Sequence, residues 1–224
     1  MRLWPLALLV PLLVPGCGST PEPRSPSDAP PMAHPAEARR SASSVGTSPG
    51  HAGQGTALSP APGHELAMFA AGCFWGVESR FRQVPGVTAT AVGYTGGHTD
   101  KPTYEDVCTH TTGHAEAVLI EFDPAVVSYE ALLEAFFKGH DPTQVDAQGP
   151  DHGDQYRSAI FTFSDTQQAA ARTAMSTWQK RVTKPIATKI GPVAPFFMAE
   201  DYHQQYHEKT GSEACPTGQP PFAT

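Results

Sequence analysis

A cysteine between a strand-like run and a helix-like run is the first candidate for chemistry in this chain. Gly72-Cys73-Phe74-Trp75-Gly76 follows the apolar stretch Glu65 to Ala71 and opens a segment with Phe74, Val77 and Phe81 at helical spacing. A thiol at such a turn faces unpaired backbone N–H groups and the positive end of the helix dipole. Both favour the thiolate, which is the nucleophile. The flanking glycines permit a tight turn and the close approach of a ligand. Packing as a small buried hydrophobe beside core aromatics is the alternative use of Cys73. A carboxyl is the second candidate. Within Ala115 to Phe122, Glu116 shares a face with Val118, Ile120 and Phe122 by the two-residue period of a strand. An apolar face disfavours the charged form, so such a carboxyl can hold a proton near neutral pH. The alternative is a carboxylate at an exposed strand end, paired with a cation.

The remaining cysteines are Cys17, Cys108 and Cys215. Three thiols beyond Cys17 are too few and too scattered for a disulfide scaffold. No CxxC pair exists, which excludes a thioredoxin motif and a zinc ribbon. Cys108 with His110 and His114, and His203 with His207, do not offer four ligands at a finger-like spacing, so no metal is expected.

Several elements must position these groups. Glu65 to Ala71 reads as a strand, and Cys73 to Gln83 as a helix stopped by Pro85-Gly86. Val87 to Tyr94 and Ala115 to Phe122 read as strands. Ser128 caps a helix whose apolar face is Leu132, Leu133, Phe136 and Phe137. Ser158 to Phe163 reads as a strand, and Ser164 or Asp165 caps a long helix through Met175 and Trp178. Ile186 to Ile190 and Val193 to Phe197 read as short strands, and Glu200 to His207 as a short polar helix. The order β-α-β-β-α-β predicts an α+β fold, a ferredoxin-like (split βαβ) two-layer sandwich with a C-terminal extension.

Composition separates this domain from what precedes it. The chain has 224 residues, with 23 Pro and 20 Gly unevenly spread. Cys17 to Gly63 holds no Phe, Trp or Tyr and is dominated by Pro, Ser, Ala and Gly, so it cannot bury enough apolar area to offset its ordering entropy. The expected folded domain is residues 64–211, followed by a flexible tail, 212–224, that carries Cys215. Before His64, four Arg stand against three acids, a net of +1; the overall net charge of −7 therefore leaves a net charge of −8 on the rest. So acidic a domain is a poor ligand for a phosphate backbone, and nucleic acid is excluded as a partner.

The Cys73 string resembles the signature of peptide methionine sulfoxide reductase, type A. Val92-Gly93-Tyr94-Thr95-Gly96-Gly97, Pro102-Thr103-Tyr104, Gly113-His114-Ala115-Glu116-Ala117-Val118, His140-Asp141-Pro142-Thr143, Asp151-His152-Gly153-Asp154-Gln155-Tyr156-Arg157-Ser158 and Ala199-Glu200-Asp201-Tyr202-His203-Gln204-Gln205-Tyr206 follow in that family's order. The resemblance implies removal of oxygen from the S epimer of methionine sulfoxide, with no bound cofactor and an external thioredoxin-like dithiol as reductant. A sulfoxide oxygen leaves poorly until a proton reaches it, so Glu116 becomes the acid beside the Cys73 nucleophile. The resemblance assigns hydrogen bonds to that oxygen to Tyr104 and Tyr156; a packing role is the alternative for either. Phe74 and Trp75 form a wall for the S-methyl group. Asp151 matches a position that shapes the same pocket, and a turn role is the alternative. Attack leaves Cys73 as a sulfenic acid, which condenses with a second thiol. The resemblance makes Cys215 the resolving cysteine and Cys108 a bystander.

The N-terminus reads as an address. Arg2 and the apolar run Leu3 to Val14 form a signal peptide over residues 1–16, too short for the roughly 20 residues of a membrane span. Val14-Pro15-Gly16-Cys17 resembles a bacterial lipoprotein box, with Pro15 where a small residue is usual. Cys17 is then the lipid attachment site, and residues 18–63 a disordered tether. The implied location is the bacterial envelope, lipid-anchored on the periplasmic side, with Gly18 favouring the outer membrane; plain secretion is the alternative. Oxidised proteins are the expected substrates, and a monomer is the default state.

Two other classes fit parts of this pattern. A Cys-His hydrolase would use Cys73, His114 and Glu116 and would be indifferent to loss of Cys215. A thiol redox sensor would form a Cys73–Cys215 disulfide and release no methionine.

Overall fold

Apolar runs become the sheet of the computed structural model, which describes residues 57–212. β1 (Glu65–Ala71) is buried from Leu66 onward. β2 (Val87–Thr95) and β3 (Ala115–Phe122) are an antiparallel pair, and β3 is buried along its whole length. β1 lies between β3 and the later strand β6 (Ser158–Thr162), antiparallel to both. β7 (Lys189–Pro192) runs parallel to β6 on one edge, and β8 (Phe196–Met198) pairs antiparallel with β2 on the other. The six-stranded order is β7-β6-β1-β3-β2-β8. A two-stranded hairpin, β4 (Ala147–Gln148) with β5 (Asp151–His152), stands apart. The fold is mixed α and β, as the element order predicts.

Among the described residues, five α-helices accompany the sheet: α1 (Phe74–Phe81), α2 (Tyr104–Cys108), α3 (Tyr129–Lys138), α4 (Asp165–Gln179) and α5 (Tyr206–Thr210). The expected serine caps hold α3 and α4: Ser128 Oγ accepts from Ala131 N, and Ser164 Oγ from Gln167 N, both at 3.2 Å. One face of the sheet packs Phe69, Val92, Tyr94, Val118, Ile120 and Phe122 against helical Phe74, Val77, Phe81, Leu132, Leu133, Phe136 and Phe137. The alternation of β3 places buried Glu116 on that face. The other face, rich in alanine, is also buried and is packed by Leu58, Phe163 and Met198. Leu58 precedes His64, the expected start of the domain, and Ala61 N donates to Glu121 Oε2.

The structure departs from sequence expectation where backbone groups are claimed by distant partners. Strand β7 begins at Lys189 rather than Ile186, because Gln179 Oε1 takes the N–H of Ile186 (2.9 Å) and Pro142 O that of Ala187 (2.7 Å). The last strand is Phe196–Met198 rather than Val193 to Phe197. No continuous helix spans 200–207: turns cover 201–205, and α5 starts at Tyr206. Gln205 has a left-handed φ of +50°, held by buried Glu78, which accepts its backbone N–H and its side-chain amide, each at 2.8 Å. His203 and His207 therefore do not share a helix. Helix α2, in a stretch to which the sequence pattern assigns no element, depends on a capping box between Thr103 and Asp106. Residues 1–56 and 213–224, with the expected signal peptide, Cys17 and Cys215, lie outside the described residues.

Candidate active site

The site is built where β1 turns into α1. Gly72 has φ +93°, and a Cβ there would stand 2.7 Å from the Gln148 side chain, so only glycine fits. Gln148 is itself fixed by Asp141, accepting from its N–H and donating to its carbonyl. Cys73, partly buried, is the N-cap residue of α1. The next backbone N–H, that of Phe74, donates to Glu116 Oε2 at 3.0 Å. One N–H group expected to face the thiol is thus taken by the carboxylate. The same bond brings the carboxyl of β3 to the start of the helix that carries the thiol. Glu116 is 2% exposed.

Two phenols complete this cluster. Tyr104 opens α2, and Tyr156 closes a 3-10 turn over Asp154–Tyr156. Burial raises both phenols far above their ordinary range, and Glu116 raises them further. Both hydroxyls therefore stay protonated and can donate. Asp151 and Cys73 also raise Tyr156, so both lie within electrostatic range of its hydroxyl. Burial pushes up the pKa of the Cys108 thiol, at the other end of α2.

The aromatic wall is held from the far end of the chain. Phe74 is buried, with its ring 5.9 Å from Tyr94 and 5.1 Å from His203. Trp75 stacks on Tyr206 at 3.8 Å, and its indole N–H donates to His203 Nδ1 at 2.9 Å. Burial drives the His203 pKa down to about 4, so the imidazole is neutral and its Nδ1 can accept. Its Nε2 has no hydrogen-bond partner among the described residues; Glu200 Oε2 lies 3.9 Å away. Burial works against the Glu200 carboxylate, but hydrogen bonds from Tyr104 N and the Tyr94 hydroxyl, each 2.9 Å, outweigh it and keep its pKa below the ordinary range.

Of the residues singled out from sequence, Cys73, Glu116, Tyr104, Tyr156, Asp151, Phe74 and Trp75 converge here. His203, Tyr206 and Glu200 were assigned no role by sequence reasoning, although they sit in the quoted stretch Ala199 to Tyr206. The density of rings and carboxylates in so polar a segment was the available signal. His114 belongs to a different structure. It accepts from Gly97 N at Nδ1, and its Nε2 is bonded to Thr99 O at 2.8 Å. Both ring nitrogens are spent on backbone, so the hydrolase alternative lacks its base.

Fold and site together define a thiol enzyme with proton donors set around the sulfur and an apolar wall beside it. Comparison with known proteins identifies which. The family model described as peptide methionine sulfoxide reductase matches residues 65–222. A peptide methionine sulfoxide reductase MsrA of Methanosarcina mazei is 60% identical over 154 residues, covering 68% of this chain and 73% of its own. The structure of methionine sulfoxide reductase A of Corynebacterium diphtheriae is similar at a TM-score of 0.69 and 36% identity, over 80% of this chain and 93% of that one. Mxr1 from Saccharomyces cerevisiae, solved in complex with Trx2, is similar at a TM-score of 0.51 and 26% identity, over 75% and 97%. The chain belongs to the peptide methionine sulfoxide reductase family, on the MsrA side. It is an oxidoreductase that reduces methionine sulfoxide.

Proposed function

We propose that Cys73 is the nucleophile that reduces the S epimer of methionine sulfoxide, free or in proteins. The bond from Phe74 N to Glu116 carries this reading, because one helix start then sets both the thiol and the carboxyl. The Cys73 sulfur attacks the sulfoxide sulfur while Glu116 delivers a proton to the oxygen. Tyr104 and Tyr156 donate hydrogen bonds to that oxygen, and Asp151 shapes the Tyr156 side of the pocket. Phe74 and Trp75 receive the S-methyl group. With a second proton the S–O bond breaks and water leaves, joining the Cys73 sulfur to the substrate sulfur; water then attacks the Cys73 sulfur, that S–S bond breaks, methionine leaves, and loss of a proton leaves Cys73 as a sulfenic acid. The Cys215 thiol then condenses with it: a disulfide forms and water leaves. A thioredoxin-like dithiol reduces that disulfide and is itself oxidised, a reading supported by the yeast relative solved with Trx2. Cys108 stays a bystander.

We further read the four strands β6-β1-β3-β2 as the split βαβ arrangement, with β7 and β8 as additions at the edges. The segment before the domain is read as a signal peptide, residues 1–16, and a lipid on Cys17 followed by a tether. A monomer held on the periplasmic side of a bacterial envelope, outer membrane rather than inner, would repair exported proteins there. Reduction of the two epimers by the reduced protein with dithiothreitol tests the core of this proposal. S-epimer turnover that vanishes in Cys73→Ser is the expected result; turnover of the R epimer alone would contradict it.

A further inference from the structure

Three residues of α1 and its C-cap meet the segment 203–208. Trp75, Glu78 and Arg82 are three and four residues apart and so share one face. Trp75 donates to His203 and stacks on Tyr206. Arg82 makes two bonds to Glu208, Nε to Oε1 at 2.6 Å and Nη2 to Oε2 at 2.9 Å. Between them stands Glu78, 1% exposed, which has no part in the chemistry proposed above. Its Oε2 accepts the backbone N–H of Gln205, and its Oε1 accepts the Gln205 side-chain amide and the Thr90 hydroxyl, all at 2.8 Å. Burial raises the pKa of Glu78, against the pull of those bonds and of Arg82. A carboxyl buried this deeply costs a fold more than an apolar side chain would. Two of its three bonds here go to one residue, Gln205, whose φ of +50° is rare for any residue with a Cβ.

That residue lies between the two that touch Trp75. His203 stands two positions before it, and Tyr206 directly follows it. The backbone at 205 therefore fixes where Tyr206 stands relative to His203, and both must meet one indole. We infer that Glu78 is a positioning residue for the substrate wall: by holding the left-handed turn at Gln205 it keeps His203 and Tyr206 against Trp75, and so sets the surface that receives the S-methyl group. This rests on the function proposed above.

Steady-state reduction of free methionine S-sulfoxide by the full chain with dithiothreitol tests it. Glu78→Gln has one acceptor oxygen in place of two, so whichever way its amide lies, Gln205 loses a bond. KM should rise about fivefold, the worth of one hydrogen bond, with kcat within about twofold of the parent. Damage to the fold alone does the opposite: it lowers the active fraction, hence the apparent kcat, and leaves KM unchanged. In a His203→Ala background the same substitution should raise KM by less than it does alone, because a contact it serves is gone. Glycine takes a left-handed φ without strain, so adding Gln205→Gly to Glu78→Gln should return KM most of the way to the parent value. An unchanged KM in Glu78→Gln, the same increment with and without His203, or no recovery on adding Gln205→Gly overturns the role. If Glu78→Gln does not fold, Gln205→Ala decides, since it keeps the strained backbone and loses the side-chain bond: a raised KM supports the role and an unchanged one overturns it. A parent protein that leaves methionine S-sulfoxide unreduced removes the function proposed above as well, whereas parent turnover with any overturning result removes only the role of Glu78.

Discussion

Two buried histidines divide the molecule into a closed region and an open one. His140 lies among Phe136, Phe137 and, beyond them, Trp178. His203 lies among Phe74, Trp75 and Tyr104. Burial depresses both to a pKa of about 4. The difference is in what their nitrogens meet. His140 bonds Phe136 O and Ser158 Oγ, both at 2.7 Å, and Ser158 continues to Thr188. Every polar atom of that ring is satisfied, and the region serves packing alone. His203 spends one nitrogen on Trp75 and leaves the other without a hydrogen bond, under an exposed tyrosine. Equal aromatic content therefore says little about function. An incompletely satisfied network at the end of a strand, beside a thiol, says much more.

Breaking the open region at its sulfur gives the largest effect. Cys73→Ser should reduce sulfoxide turnover to background while the melting temperature stays close to that of the parent. Glu116→Gln should lower kcat by about 10²- to 10⁴-fold, the range for a positioned proton donor, in steady-state assays. The closed region should show the reverse. Phe136→Ala should cost about 3–5 kcal/mol in urea unfolding, while the folded fraction keeps its kcat/KM. Loss of turnover without loss of stability there would erase the distinction between the regions.

Acid acts on both regions through their histidines. Each is held neutral in the folded protein, so its folded pKa lies below the ordinary value near 6.5. The stability this contributes is fully present above that value and is lost as pH falls toward about 4. Each ring accounts for on the order of 3 kcal/mol across that window. Urea midpoints at pH 7 and pH 4.5 contain this contribution, and His203→Asn should shrink the difference. The smallest effect belongs to the indole anchor. His203→Ala removes the acceptor for Trp75 and should raise KM by about tenfold, near the 1–2 kcal/mol of a buried hydrogen bond. His203→Asn offers an oxygen in place of Nδ1 and should restore part of that loss.

Local signals made much of the site legible. The parity of β3 placed Glu116 on the apolar face, and the strand-to-helix turn marked Cys73, because each depends on neighbours a few residues away. The serine caps of α3 and α4 were readable for the same reason. Helix α2 was not, since its five residues carry a capping box but no full apolar period. Nor was the break before α5, which is set by Glu78, 127 residues from Gln205. The partnership of Trp75 with His203 spans 128 residues, and no periodicity connects positions so far apart.

One equivalent of chemistry tests the central claim most directly. Fully reduced protein is mixed with excess methionine S-sulfoxide and no reductant, and both the methionine formed and the mass of the Cys73 peptide are measured. One methionine per chain, with Cys73 recovered as a sulfenic acid or in a disulfide, is the expected result. Methionine released while Cys73 remains a free thiol would contradict the account.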